Sequence, residues 1–394
     1  MAVRPLLSFV LAAGLAAALV TAGSTAVATT PLQLTLPAPT GPDRIGTVSL
    51  HLVQAGRLDP WVSGRTRELM VSLWYPAHHA DRHPTAPYME AEAWASFEHN
   101  RGIPAGSVVV PQTSGHDGAP VDRHSGGLPV ILYSPPSGGD RAVNTTLVQE
   151  LASHGYLVAT IDHTYSDDEV EFPDGTVAHR VLPARQTDQQ LADEVVERDK
   201  DTRFVLDELT AIEHGQNPDA EHHALPHGLC GALNLNQVAM FGHSLGGATA
   251  AATMLDDPRI KAGIDLDGTL FGPVVTAGLD RPVMLLAHQG KTRDTDPSWG
   301  PFWNASAGWK RDFQLQGSQH LSYTDAEVIF PQTAGVMGLT PAQLAAIIGT
   351  IDPARAITVE STYVDAFFNL HLRHRDEQLL DGPSPRFPEM VFQP

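Results

Sequence analysis

A mostly parallel β-sheet covered by helices on both faces is the fold class this sequence predicts, and three observations predict it. Short runs of strand type recur along the chain, as in PVILY at 129–133, LVATI at 157–161 and VAMF at 238–241. These runs are apolar throughout rather than at alternate positions, the pattern of strands buried on both faces. Segments with helical spacing of apolar residues separate them, and such alternation folds as an α/β layer structure.

In chain order, residues 1–28 have the layout of a secretory leader: Arg4, an apolar run over 6–20, then Ala26-Val27-Ala28 as a small-residue cleavage site. The run is about five residues short of a comfortable membrane span, so a leader is preferred to an anchor and the mature chain is expected to be exported. Residues 29–43 read as an irregular lead-in, and 44–394 as a single domain. Strands are expected at 47–53 and 68–74. The stretch 77–127, rich in His, Pro, Gly and Asp, reads as an irregular insertion. A helix over 142–153 is expected to end near Gly155, and a long amphipathic helix to run over 187–212. Strand 238–241, helix 245–255 and strands 260–266, 282–287 and 312–315 follow. An interrupted helical region covers 340–373.

The formal net charge of −20 excludes electrostatic capture of nucleic acid or of an anionic membrane surface. One cysteine, Cys230, makes no internal disulfide. Histidines gather at His78, His79 and His83 and again at His214, His222, His223 and His227. Neither set has ligand spacing with a carboxylate or cysteine partner, so neither a metal nor a cofactor is expected.

The stretch Gly-His-Ser-Leu-Gly at 242–246 lies where a predicted strand gives way to a predicted helix. The flanking glycines leave room for a tight turn that holds Ser244 outward, and the N–H of Leu245 opens the helix beside it. A serine nucleophile needs a base and an acid to orient that base, and in this arrangement they follow in the order Ser, Asp or Glu, His. His320, on a short Gly-Ser loop after a strand, is the best placed base. His288 ends a strand, and His371 and His374 read as surface positions in a helical tail. For the acid, Asp265, Asp267, Asp294 and Asp296 all follow suitable strands, and spacing does not choose among them.

Taken with RELMVSLWYPA at 67–77, LASHGYLVATIDH at 151–163, FGHSLGGATA at 241–250, GIDLDG at 263–268, GSQHLSYTD at 317–325 and GTIDPARA at 349–356, the chain resembles the platelet-activating-factor acetylhydrolase and lipase family in its secreted bacterial branch. The resemblance implies the α/β-hydrolase fold and hydrolysis of a small-molecule or lipid ester through an acyl-enzyme, without cofactor or stable membrane anchor. It implies short acyl chains first, with general lipase or cutinase-like polyester cleavage as the alternative. It also implies Ser244 as nucleophile, Asp267 rather than Asp265 as acid, and His320 as base. The loop after strand 129–133 departs from the family's Ser-His-Gly: it reads Ser-Pro-Pro-Ser. Proline has no N–H, so Ser137 is expected to join Leu245 in the oxyanion hole. The aromatics Trp299, Phe302, Trp303 and Trp309 fit an acyl pocket or simple packing equally well. A binding protein on an inert scaffold, or a peptidase, are the rival classes.

Overall fold

The computed structural model describes residues 30–123 and 126–394. The leader read at 1–28 lies outside the described residues. Pro31–Pro394 forms one compact unit, and no described helix is long and apolar enough to cross a membrane.

The centre is an eleven-stranded sheet. Its strands are β1 (Ile45–Leu58), β2 (Thr66–Pro76), β3 (Thr85–Pro87), β4 (Gln112–Asp117), β5 (Leu128–Ser134), β6 (Leu157–Ile161), β7 (Leu233–His243), β8 (Ile260–Leu266), β9 (Val283–His288), β10 (Lys310–Leu315) and β11 (Met390–Phe392). Their spatial order is β11-β10-β9-β8-β7-β5-β6-β2-β1-β4-β3. The six strands from β10 to β6 run parallel. From β5 the chain moves outward to β6, and from β7 it moves outward the other way through β8, β9 and β10. The β5/β7 boundary is therefore the switch point at which open α/β sheets leave a crevice at their carboxyl ends.

Two cores explain the unbroken apolar runs. Val130, Leu132, Val238, Met240 and Leu285 pack on one face with Val205, Leu209 and Ala248, from the helices Asp188–Glu213 and Leu245–Asp256. Ile131, Tyr133, Ala239, Phe241 and Met284 face the other side against Leu151 and Phe367, from helices Thr145–Ser153 and Pro353–Arg373. Thr187 caps the long helix in a reciprocal box with Gln190.

The stretch 77–127 is not irregular throughout its described residues. It carries the helix Ala91–Arg101 and adds β3 and β4 to the sheet edge. The signals are weak there because the edge strands are short and the helix starts at Glu90 without a side-chain cap. Its Trp94 and Phe97 are buried nonetheless. The lead-in is fastened too: Leu34 is buried, and Thr40 and Gly41 bond to Glu150 and Ser153. A helix at Ala326–Met337, with Pro331 inside it, is additional to the predicted set.

A buried charge network ties the β1–β2 hairpin to the long helix. Arg67, fully buried in β2, donates from Nε to Asp201 at 3.0 Å and from Nη1 to Asp59 at 2.7 Å. Arg57 joins Asp201 at 2.7 Å. Such pairs hold because each charge has a partner, and removal of one strands the other. Arg67→Met is expected to cost about 3–5 kcal/mol, read as a fall in the urea midpoint at unchanged slope.

Candidate active site

Ser244 sits in the turn between β7 and its helix with φ 55° and ψ −119°, a conformation strained for any side chain. Two glycines make the turn possible by proximity. A Cβ on Gly242 would lie 2.2 Å from the Gly246 carbonyl carbon, and one on Gly246 would lie 1.9 Å from the Ser134 oxygen. The Ser244 N–H donates to Leu266 O at 2.8 Å, which pins the turn to β8. Ser244 stays partly exposed while its neighbours are buried.

The structure brings Ser244, Asp267 and His320 together. His320 Nε2 lies 3.0 Å from Ser244 Oγ, and its Nδ1–H donates to Asp267 Oδ2. With Nδ1 donating, Nε2 is left to accept the serine proton. His320 begins a tight turn, His320–Tyr323, that is braced on several sides. Thr350 and Ile351 N–H groups hold Gly317 O, and Ser322 Oγ donates to Ile348 O. His243, the residue before the serine, donates from Nε2 to His320 O at 2.8 Å. Burial, with His320 adjacent, pushes the His243 imidazole down to about 3, so it is a neutral strut.

Asp267 follows β8 with φ 61° and is almost fully buried. Burial alone would raise its carboxyl. Hydrogen bonds from His288 and His320, with the Lys291 ammonium close by, hold it well below the usual carboxylate range. His288 gives both its backbone N–H, at 3.0 Å, and its Nδ1–H, at 2.7 Å from Oδ2. His288 is thus a second donor on the Asp267 carboxylate, a placement that strand position alone does not distinguish from that of a base. Lys291 also binds the carbonyls of Asp267 and Gly268 at 2.8 and 2.7 Å.

The comparisons with known proteins fall on this geometry. The profile of platelet-activating factor acetylhydrolase, isoform II, matches residues 62–383. The chain belongs to this family. It is 29% identical to a probable 1-alkyl-2-acetylglycerophosphocholine esterase of Arthroderma benhamiae, over 92% of this chain and 94% of that one. It is 25% identical to the platelet-activating factor acetylhydrolase of Cavia porcellus, over 62% of this chain and 57% of that one. Among solved structures, a ferulic acid esterase from Streptomyces cinnamoneus superimposes with a TM-score of 0.78 at 35% identity, over 92% of this chain and 99% of that one. The α/β-hydrolase fold and carboxylic ester hydrolysis follow from these matches.

In this acetylhydrolase-family chain the loop after β5 is held by a residue that gives no sequence signal. The Arg198 guanidinium, buried in the long helix, donates to Pro135 O at 2.6 Å, to Ser166 Oγ at 2.8 Å and to Asp167 at 2.7 Å. Ser134 and Pro135 oxygens lie against Gly246, so the loop carrying Ser137 leaves from the first turn of the serine's helix. Ser137 Oγ accepts from Arg180 at 2.9 Å, and Leu245 is the first residue of the helix.

The remaining candidates take other places. Asp265 accepts from the Gly268 N–H at 2.7 Å, and burial pushes its carboxyl up to about 8. Asp296 is buried against Lys291 at 3.2 Å, and Asp294 is exposed in a turn. His374 is exposed, but His371 is not a surface position: it is half-buried against Trp309, ring centroids 4.5 Å apart. Trp299 and Phe302 are wholly buried in the core, Trp299 donating to Gly268 O at 2.6 Å, which decides for packing. Of the clustered histidines, His223 alone comes with carboxylates within ligating reach, those of Asp219 and Glu221. Cys230 is a half-buried free thiol.

Gly246→Ala is expected to push the Ser134–Ser137 loop off the serine and to cut ester hydrolysis by roughly 100-fold, with the far-ultraviolet circular dichroism unchanged. For Asp265 the sign of the pH effect is fixed. Its native value lies above the unfolded one, so the native state holds the extra proton and loses stability as pH rises from about 4 to 8. Asp265→Asn, which keeps the bond to Gly268, is expected to become more stable than the parent over that range, in denaturant titrations at several pH values.

Proposed function

We propose that this chain is a secreted serine esterase that cleaves short-acyl, phospholipid-like esters through an acyl-enzyme, with Ser244 as nucleophile, His320 as base and then acid, and Asp267 as the group that orients it. The reading rests on the unbroken run of hydrogen bonds from Ser244 Oγ through His320 to Asp267. His320 takes the serine proton as Oγ attacks the ester carbonyl. The N–H groups of Leu245 and Ser137 receive the oxyanion, each such donor contributing roughly 3 kcal/mol. The alcohol leaves with the proton from His320, and water repeats the sequence on the acyl group.

Short acyl chains are supported by the relatives, whose names are those of an acetylglycerophosphocholine esterase and an acetylhydrolase. The cavity of about 380 Å³ beside His320 does not bear on chain length, since Ser244 does not line it. A second reading, an aromatic-acid ester of feruloyl type, is favoured by the solved esterase that aligns along nearly the whole chain. Export through removal of residues 1–28 is part of the same proposal, and a secreted product beginning near Thr29, read by N-terminal sequencing, tests it.

The deciding measurement is kcat/KM on p-nitrophenyl esters from acetyl to palmitoyl, with methyl ferulate alongside. A peak at acetyl to butyryl is expected, a peak at octanoyl or beyond makes the enzyme a lipase, and preference for methyl ferulate selects the second reading. Ser244→Ala is expected to lose roughly 10⁶-fold in kcat and Asp267→Asn about 10⁴-fold, whereas Asp265→Asn keeps the parent's rate. Equal losses in the two Asp variants would remove Asp267 from its role.

A further inference from the structure

A cavity of about 730 Å³ lies apart from the site just described: Ser244, Asp267 and His320 do not line it. Its walls come from β1, β2, residues 84–90, the segment Asp140–Ala142 and residues 169–173. Seven carboxylic side chains line it against one guanidinium, that of Arg141, which is already engaged by Asp162 and by Ser72 Oγ at 2.9 Å. The nearby Arg101 pairs with Asp168 at 3.5 Å.

Two of the carboxyls are deeply buried and half-used. Asp140, 3% exposed, accepts from the Ala142 N–H through Oδ1, while Oδ2 has no partner. Glu169, 1% exposed, accepts from Asn100 through Oε2, while Oε1 has none. The indole N–H of Trp74, another residue of the lining, is also unpartnered. Three polar atoms left unpaired in the lining of one cavity are costly unless something in the cavity meets them. Burial pushes both carboxyls up, Asp140 further through the charges of Glu169 and Asp162, and Glu169 against the pull of Arg101. A cation between them relieves that strain.

Size and lining choose the kind of cation. Among the described residues, the sets of three ligating side chains that converge are Asp267–His288–His320 and Asp219–Glu221–His223, and neither includes Asp140 or Glu169. The space is far larger than one ion, and its lining includes the aromatic rings of Trp74, Tyr88 and Phe172, the residue type that holds organic ammonium groups. We propose that this cavity binds an organic ammonium ion that also carries an acceptor oxygen, with Asp140 and Glu169 as its anionic anchors and Trp74 as donor and ring face. The ammonium is either a free amine or the head group of an ester; the second source rests on the proposed esterase function.

Isothermal titration of the whole mature chain with choline chloride, against matched sodium chloride, tests it. A saturable heat is expected in the parent and in Ser244→Ala, with affinity at least tenfold weaker in Asp140→Asn and in Glu169→Gln. No saturable heat in the parent, heat with calcium chloride alone, or undiminished binding in both carboxyl variants overturns the proposal. The source is read from acetylcholine against its uncharged isostere 3,3-dimethylbutyl acetate. A head-group site gives a preference for the charged ester that Glu169→Gln abolishes. A free-amine site binds choline while the two esters turn over alike in parent and variant. Should Ser244→Ala keep its hydrolysis, the proposed mechanism falls while choline binding still judges the cavity.

Discussion

At Gly246 the helix behind Ser244 runs so near β5 that an ideal Cβ would stand 1.9 Å from the Ser134 oxygen. That contact fixes three things together. It sets the strained turn of Ser244, since Gly242 and Gly246 must also touch each other. It brings the helix start beside the loop that carries Ser137. And it does so at the switch between β5 and β7, the one place in the parallel block where neighbouring connections leave in opposite directions and open a crevice. Arg198 then prevents the loop from drifting by holding the Pro135 oxygen from the far side. The prolines lack N–H groups to bind the strand or helix, so their carbonyls carry the attachment.

Electrostatics separates two carboxyls that are two residues apart. Asp265 has one backbone donor and a second oxygen with no partner, so burial dominates and its carboxyl is raised. Asp267, on the positive-φ turn beyond it, receives donors from His288 and His320 and lies near Lys291, and stays ionised despite equal burial. In the proposed mechanism the charge that a protonated His320 needs is therefore present beforehand, and no reorganisation is required when the proton arrives. His288 and Lys291 keep Asp267 charged and aimed, and the His288 ring also stands edge-on to the His320 ring, centroids 6.3 Å apart.

Ser244 was legible because its constraints are local: strand, two glycines, serine and helix occur within a dozen residues. The sheet was legible because strands buried on both faces must be apolar throughout, as β5, β6 and β7 are. The choice of carboxylate was not, since Asp265, Asp267, Asp294 and Asp296 all follow strands and spacing treats them alike; the family resemblance, not periodicity, pointed to Asp267, the one that meets His320. His288 and His320 both reach that carboxylate, and what sets them apart is a distance to Ser244 across 76 residues of chain. Arg198 and His243 left no signal, because an arginine in an amphipathic helix and a histidine at a strand end acquire their partners only through long-range packing. The elements within 77–127 were missed for a different reason: an uncapped helix and short edge strands depend on tertiary contacts more than on local preference.

A second Ser–His–Asp array shows what the hydrogen bonds alone do not supply. Ser134 Oγ lies 2.9 Å from His163 Nε2, and His163 Nδ1 lies 2.9 Å from Asp201. The distances match those of a triad, yet all three residues are fully buried. Burial, with Arg198 nearby, pushes His163 down to about 4, so it stays neutral. Asp201 is committed to Arg67 and Arg57 as well. Ser134 ends a strand and is followed by two prolines, so the residue after it offers no N–H to an oxyanion, whereas Ser244 is followed by Leu245 at a helix start. One array faces the crevice with a donor beside it. The other anchors the end of β5 from which the loop carrying Ser137 departs, and so uses the same three residue types to hold the scaffold still, whereas the partly exposed set is the one proposed to exchange a proton with an ester.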